Sequence, residues 1–156
     1  MLFFMNYCRR TTLICVMFSI GHYIQAAPHL VHIPISIGEL FDKITILEIK
    51  IRQIIDAQKL DNVLNEWREL NAIIEQQIFT NLELNLLKEE LLKTNEQLWN
   101  IEDAIRAKEA HKLFDEEFIE LARSIYYTND RRAAIKRKIN MLTCSQFIEE
   151  KVYTNY

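Results

Sequence analysis

The stretch that decides the fold runs from Trp99 to Asn140 and reads WNIEDAIRAKEAHKLFDEEFIELARSIYYTNDRRAAIKRKIN. It combines dense charge with apolar residues at the period of an α-helix. Residues 98–120 carry seven acids and three bases, a net charge of −4, whereas residues 121–140 carry one acid and six bases, a net charge of +5. Neighbouring helical segments of opposite charge favour an antiparallel pair, because unlike charges across the seam select the partner and the register.

The composition around this stretch is also typical of a helical protein. The chain has 156 residues, 49% of them hydrophobic, which suits one domain with a buried core. Its two glycines and two prolines all lie between Gly21 and Gly38, so the remainder lacks the turn residues that sheet folds use repeatedly. The sequence therefore predicts an all-α fold, an antiparallel bundle of helical hairpins with long coiled-coil-like helices.

Start signals divide the bundle into four helices. Ser36 followed three residues later by a glutamate is a capping box for the first helix. Asp61 is the cap candidate of a second helix, and a break near Thr80 precedes a third helix over about 82–109. Asp115, followed by two acids, caps a continuous last helix, with the preceding phenylalanine expected to staple onto Ile119.

Apolar residues at steps of three and four predict the buried face of each helix. On the first helix these are Ile37, Leu40, Phe41, Ile44, Leu47, Ile51, Ile54 and Ile55. On the third they are Leu84, Leu87, Leu91, Thr94, Leu98, Ile101 and Ile105. On the last they are Phe118, Leu121, Ile125, Thr128, Arg132, Ile135, Ile139 and Leu142.

The first 32 residues differ from the predicted bundle domain, residues 33–156. Two arginines precede the apolar run Thr11–Ile20, and two alanines stand just before Pro28, which is the order of a secretory signal. The apolar run is too short for a typical membrane span. The segment is therefore either a signal, with membrane contact only through residues 1–27 and export of the protein, or a leader on a cytoplasmic protein.

Four strings in this order resemble a family of small, mostly bacterial, all-helical proteins known as a domain of unknown function. They are ISIGELFDKITILEIK, LWNIEDAIRAKE, FDEEFIELARSIYYTNDRRAAIKRKIN and EEKVY, and the resemblance covers about residues 33–156. It implies a helical fold and no particular activity. The family pattern begins close to PISIGEL, so the resemblance favours the cytoplasmic interpretation of the leader.

The candidate binding residues come from the two oppositely charged segments. They are Glu102, Asp103, Arg106, Glu109, Arg123, Asp130, Arg131 and Lys136. One interpretation is a solvated ladder of ion pairs within one helix. The other pairs the acids of the third helix with Arg123, Arg131 and Lys136 of the last, across a partly buried seam that sets the register or lines a small anionic pocket.

These patterns predict a non-catalytic interaction or assembly module with a protein partner or self-association. The alternative is a small helical enzyme or binding protein with an Arg/Lys-lined pocket for an anionic ligand, in the style of all-helical chorismate mutases but without their motifs. Whether the protein is an enzyme stays open, and no catalytic residue is assigned. Nucleic acid is not expected at the run RRAAIKRKIN, because acidic neighbours offset its charge. No metal and no cofactor are expected, since the chain has no CxxC pair.

Overall fold

The computed structural model describes residues 31–76 and 81–152, and the helices lie in the compact unit Ile33–Tyr156. Over these ranges the chain forms four α-helices and no strand: α1 Ile37–Gln53, α2 Ala57–Gln76, α3 Leu82–Ala110 and α4 Glu116–Leu142. The predicted all-α fold is confirmed. Most of the predicted leader, residues 1–30, and the predicted break at Thr80 lie outside the described residues.

Helix α1 begins at the predicted residue, because the Ser36 hydroxyl accepts a hydrogen bond from the Glu39 N–H at 3.1 Å. It ends at Gln53, and the next residue has an extended backbone. The prediction that Ile55 is a core residue is wrong: it lies beyond the helix end and is 98% exposed. Ile49, which falls off the predicted stripe, is buried instead, because α1 has neighbours on more than one side.

Helix α2 starts one turn before the predicted position. Asp56 caps it by accepting a hydrogen bond from the Lys59 N–H at 2.9 Å, so Asp61 lies inside the helix rather than at its start. The helix packs along α1 and contains no buried residue. The half-buried Ile74 still packs against the core. Helix α2 therefore covers α1 from outside and contributes little to the centre of the bundle.

Helices α3 and α4 form a long antiparallel hairpin. Asn81 caps α3 through the Glu83 N–H at 2.9 Å, and Asp115 caps α4, as predicted, through the Phe118 N–H at 3.0 Å. Lys112 in the connecting turn has a φ of 56°, the left-handed conformation common after a helix end. Helix α4 is continuous, as expected for a segment without glycine or proline.

The contact that precedes α4 differs from the predicted staple. Phe114 meets the ring of Phe118 edge to face, with ring centroids 5.2 Å apart. Ile119, the predicted partner, is exposed. A hydrophobic staple joins residues on either side of the cap, and here the third helical position rather than the fourth faces the turn.

The core lies where α1 packs into the groove between α3 and α4. A cluster of five buried apolar residues connects these three helices: Phe41, Leu84, Leu91, Ile135 and Ile139. Helix α1 runs antiparallel to α4, since Gly38 contacts Asn140 and Asp42 contacts Arg132 one turn or more along each helix. This arrangement places the first turns of α1 against the last turns of α4.

The other end of the α3–α4 hairpin is built differently. No described residue between Leu98 and Thr128 is buried. The predicted seam residues Ile101, Ile105, Leu121 and Ile125 are half-buried there, because within the described ranges no third helix covers this part of the hairpin. We refer to residues 101–127 as the hairpin end.

Candidate functional site

The first turn of α1 is bonded to the end of α4. The Ile37 N–H donates to Ser145 Oγ at 3.1 Å, and the Gly38 N–H donates to Asn140 Oδ1 at 2.6 Å. Together with the Ser36 cap, these bonds satisfy N–H groups that a helix start leaves without an intrahelical acceptor. Ser145 in turn donates to the carbonyl of Phe147, so the C-terminal segment takes part in the same contact.

Gly38 allows this contact because it has no side chain. A Cβ atom at this position would lie 2.5 Å from the Lys136 carbonyl oxygen and 2.9 Å from Asn140 Oδ1. Both distances are below any normal contact for a carbon atom. The requirement is for space and not for an unusual backbone, since Gly38 does not have a positive φ.

Lys136 is the buried centre of a charged cluster beside this contact. Its Nζ is 2.5 Å from Glu39 Oε2, 2.7 Å from Glu149 Oε2 and 4.0 Å from Asp42 Oδ2. The lysine side chain is only 8% exposed. One cation therefore joins two residues of α1 to a residue of the C-terminal segment.

Asp42 extends the cluster to α3. Asn95 Nδ2 donates to Asp42 Oδ1 at 2.9 Å and to Thr45 Oγ1 at 3.0 Å, and all three residues are buried. The Nε atom of Arg132, on α4, lies 4.0 Å from the same Asp42 oxygen. We refer to Glu39, Asp42, Asn95, Arg132, Lys136 and Glu149 as the polar core cluster.

The pKa values of two members reflect their mutual contact. Burial alone would lower the pKa of Lys136, but the hydrogen bonds to Glu149 and Glu39 and the charge of Asp42 outweigh it and raise that pKa above the ordinary value. The hydrogen bond from Lys136 lowers the pKa of Glu149. Both residues are therefore charged near neutral pH.

The charges of the polar core cluster are paired mainly with one another. Three carboxylates meet two cations, and the pairs join α1 to α4 and α4 to the C-terminal segment. A buried lysine with three acid neighbours is a stable ion and not a poised base. The arrangement supports a structural role, in which the ion pairs fix the position of α1 against α4.

The four predicted site residues on α3 form a ladder within that helix. Arg106 is 2.8 Å from Glu102 and 3.9 Å from Asp103, and Glu109 is 2.7 Å from Lys112. The charged groups are exposed or half-exposed. They thus follow the first of the two interpretations from the sequence, the solvated ladder.

The four predicted site residues on α4 do not meet that ladder. Arg123 pairs with Glu120 on its own helix, and Arg131 pairs with Glu90 on α3. Lys136 binds the polar core cluster, and Asp130 is half-buried on α4.

The predicted pairing of the Glu102 segment with Arg123, Arg131 and Lys136 is therefore wrong in the described part of the chain. The register of the hairpin explains the difference. Arg131 faces Glu90, and Lys108 faces Asp115, so Glu102 lies nearest the turn of α4 around Glu120. The residue of α4 that lies nearest Glu102 is therefore another acid, Glu120, and not a cation.

Most of the polar core cluster was missed by reasoning from the sequence. Only Lys136 was a candidate, and Arg132 was placed in the apolar seam without a role. A cation in an apolar seam signals a buried acid partner. Asp42 interrupts the apolar first helix in the same way, and the two residues contact each other.

Residues 31–76 and 81–152 contain neither a metal-binding cluster nor a membrane-spanning helix. No three histidine, cysteine or acidic side chains gather there as a metal ion would require. None of the helices in these ranges combines the length and apolar character of a membrane span.

Comparison with known proteins gives one match. The model of a family described as a family of unknown function, DUF6165, matches residues 31–156. No curated protein and no solved structure matches the chain.

Proposed function

The chain belongs to the family of unknown function DUF6165, and we propose that it is a non-catalytic assembly module in which two copies join along the exposed face of α4. The observation that carries this proposal is the distribution of charge on that face. Helix α4 starts acidic and ends basic, and at each end one exposed charge has no partner within the described residues.

The exposed face of α4 is a continuous stripe. Its members follow one another at steps of three and four residues, so they lie on one side of the helix. They are Glu116, Glu120, Arg123, Tyr127, Arg131, Ala134, Lys138 and Met141, and all of them are exposed. We refer to these eight residues as the α4 stripe.

The two ends of the α4 stripe carry opposite unpaired charges. Glu116 and Lys138 form no ion pair or hydrogen bond with the described residues, whereas Glu120, Arg123 and Arg131 are already paired within the chain. Glu116 and Lys138 are separated by about 33 Å along the helix axis. Neither end can therefore neutralise the other within one copy.

A two-fold axis at Tyr127 would bring these ends together. Two antiparallel α4 helices related by such an axis place Glu116 of each copy opposite Lys138 of the other, and the contact occurs twice. The axis also places Arg123 opposite Arg131, whose charges are already paired with Glu120 and Glu90 within each copy. Tyr127 would meet its own copy at the centre, where an exposed aromatic ring contributes most contact area.

The same arrangement would bring the exposed apolar residues that precede α4 into contact with the other copy. Leu113 and Phe114 are 51% and 58% exposed. In the antiparallel pair they lie level with Met141 of the other copy, beside a groove of about 800 Å³ lined by residues of both hairpin helices, including Leu87, Ala134 and Met141. The groove is also lined by Glu83, Arg137 and Lys138. Exposed apolar residues opposite a partly apolar groove with charges at its rim are typical of a protein interface.

The test is the mass of the protein in solution. The full chain should sediment as a dimer whose dissociation constant rises with salt, because rim charges are screened. Glu116→Lys and Lys138→Glu should each weaken the dimer at least about tenfold, since each change creates two like-charge contacts. An equimolar mixture of the two variants should recover a heterodimer, because the altered charges then face their opposites.

The control is Glu69→Lys, an exposed glutamate on α2 without an ion pair. It makes the same charge change away from the stripe and should leave the dimer intact. A wild-type chain that stays monomeric at every concentration would overturn the assembly proposal. A dimer whose variants do not complement each other would overturn the antiparallel arrangement.

A further inference from the structure

A small cavity lies beside the polar core cluster, between α1, α3 and α4. Its volume is about 180 Å³. One wall is apolar, and the other carries hydrogen-bonding groups. The lining residues are Ile46, Ile49, Leu98 and Trp99 on the apolar side and Asn95, Glu102 and Arg132 on the polar side.

Arg132 brings unused hydrogen-bond donors to this cavity. Its Nε faces Asp42 Oδ1 at 4.0 Å, and the guanidinium makes no hydrogen bond within the described ranges. The side chain is 30% exposed. The two terminal nitrogens of such a guanidinium form the planar fork that binds a carboxylate through two parallel hydrogen bonds.

Asn95 brings an unused acceptor. Its Nδ2 is engaged by Asp42 and Thr45, and this orientation is fixed because a carboxylate can only accept. Its Oδ1 is buried and accepts no hydrogen bond from the described residues. A buried carbonyl oxygen without a donor is unfavourable, so a ligand that donates to it gains from a bond that the protein leaves unmade.

These two groups are neighbours, because Asn95 Nδ2 and Arg132 Nε approach the same oxygen of Asp42. We propose that the cavity binds a small carboxylate with a hydrogen-bond donor on the adjacent carbon, that is, an α-amino or α-hydroxy acid. In this proposal the carboxylate binds the guanidinium of Arg132, and Asn95 Oδ1, which is buried in the free protein, becomes the acceptor of the ligand's donor when Arg132 turns toward the carboxylate. The cavity has the volume of about six water molecules, which suits a molecule the size of alanine or lactate.

Glu102 distinguishes between the two classes of ligand, an α-amino acid and an α-hydroxy acid. Its Oε2 binds Arg106, and its side chain also lines the cavity. A second carboxylate oxygen near the donor favours an ammonium group over a hydroxyl group, because the charge-assisted bond is stronger. The small side chain of the ligand would rest on Trp99 and Ile49.

The experiment uses Trp99 as the reporter. The chain has two tryptophans, and the Trp67→Phe variant of the full chain leaves only the one at the cavity. Its fluorescence is followed during titration with L-alanine, L-lactate and propionate, which are similar in size. L-alanine and L-lactate should saturate, and propionate, which lacks the donor, should bind at least about tenfold more weakly.

Two variants test which residue binds the carboxylate of the ligand and which favours its ammonium group. Arg132→Gln should weaken L-alanine and L-lactate alike by at least about tenfold, whereas the matched change Arg137→Gln, at an exposed position of α4, should have no effect. Glu102→Gln changes a half-exposed side chain whose ion pair lies within α3, and it should weaken L-alanine but not L-lactate.

Three outcomes would overturn the proposal. The first is the absence of saturation with all three probes. The second is equal binding of propionate and L-lactate, which would remove the role of Asn95. The third is unchanged binding of the two acids in a folded Arg132→Gln variant, which would remove the carboxylate site.

Discussion

The backbone N–H of Gly38 donates a hydrogen bond to Asn140 Oδ1 at 2.6 Å, across 102 residues of sequence. This bond sets α1 directly on the last turns of α4, with the Lys136 carbonyl oxygen below the glycine. The position of α1 thus depends on the absence of a side chain at Gly38 and on the side-chain amide of Asn140. The polar core cluster lies immediately beside it.

Gly38→Ala should therefore destabilise the protein, although alanine favours a helix. The helix preference would contribute a gain of about 0.5 to 1 kcal/mol. Against it, a Cβ atom 2.5 Å from a backbone oxygen forces α1 away from α4, and overpacking of this kind costs about 1 to 3 kcal/mol. Urea unfolding should show a net loss. Lys43→Ala, at an exposed position on α1, is the control and should change the free energy of unfolding by less than about 1 kcal/mol.

The contrast between Ser36 and Asn140 shows how much of the fold could be predicted. Ser36 and Asp115 bond to N–H groups three residues away, so the sequence around each contains both partners. Apolar periodicity is equally local, and it placed Leu91 and Ile135 in the core correctly. Helix starts and buried faces are therefore accessible to reasoning from the sequence.

The candidate site was less predictable because its contacts are not local. The partners of Lys136 lie 97 residues before it and on the C-terminal segment after it, and no spacing rule connects them. The opposite charges of two adjacent segments correctly indicated an antiparallel pair of helices. They did not give the register of that pair, which decides which charges meet. The start of α2 was predicted at Asp61 but is capped by Asp56, since it depends on where α1 ends.

Lys136→Met should destabilise the protein by about 3 kcal/mol or more. The change removes one of the two cations near the buried Asp42 and leaves only Arg132, at 4.0 Å, and breaking one partner of a buried ion pair typically costs 3 to 5 kcal/mol. Arg137→Gln is the matched control on the next residue, because its pair with Glu150 is exposed and such pairs contribute about 0 to 1 kcal/mol. Equal effects in urea unfolding would show that the polar core cluster does not hold α1.

The same cluster should make stability depend on pH at both extremes. The pKa of Glu149 is lowered by Lys136, so its contribution is present above the ordinary value of 4.5 and is lost as the pH falls through the folded pKa. The pKa of Lys136 is raised, so its contribution is present below 10.5 and is lost as the pH rises through the folded pKa.

Chemical unfolding of the wild type and of Glu149→Gln across pH tests this linkage. The difference between the two proteins should be largest between these limits and should shrink below 4.5. A difference that stays constant down to about pH 3 would contradict the ion pair, because the carboxylate would then contribute without its charge.

Substitutions along the hairpin should distinguish its two ends. Leu91 is fully buried where α1 joins the hairpin, so Leu91→Ala should cost about 3 to 5 kcal/mol. Ile125 is half-buried at the hairpin end, so Ile125→Ala should cost about 1 to 2 kcal/mol. Thermal or urea unfolding measures both. An equal loss would mean that a third surface covers the hairpin end in solution.

The last prediction concerns charges at the hairpin end. Glu102 is 2.8 Å from Arg106 on its own helix, and Arg123 is 3.1 Å from Glu120. Glu102→Arg and Arg123→Glu should therefore add without coupling, within about 0.3 to 0.5 kcal/mol, as substitutions without a shared contact do. Exchange of the real pair, Glu102→Arg with Arg106→Glu, should instead recover part of the loss from the single changes. The free energies of unfolding of the two double-mutant cycles decide this. A coupling above about 1 kcal/mol between Glu102 and Arg123 would mean that the hairpin has a different register, in which the acidic part of α3 does face the cations of α4.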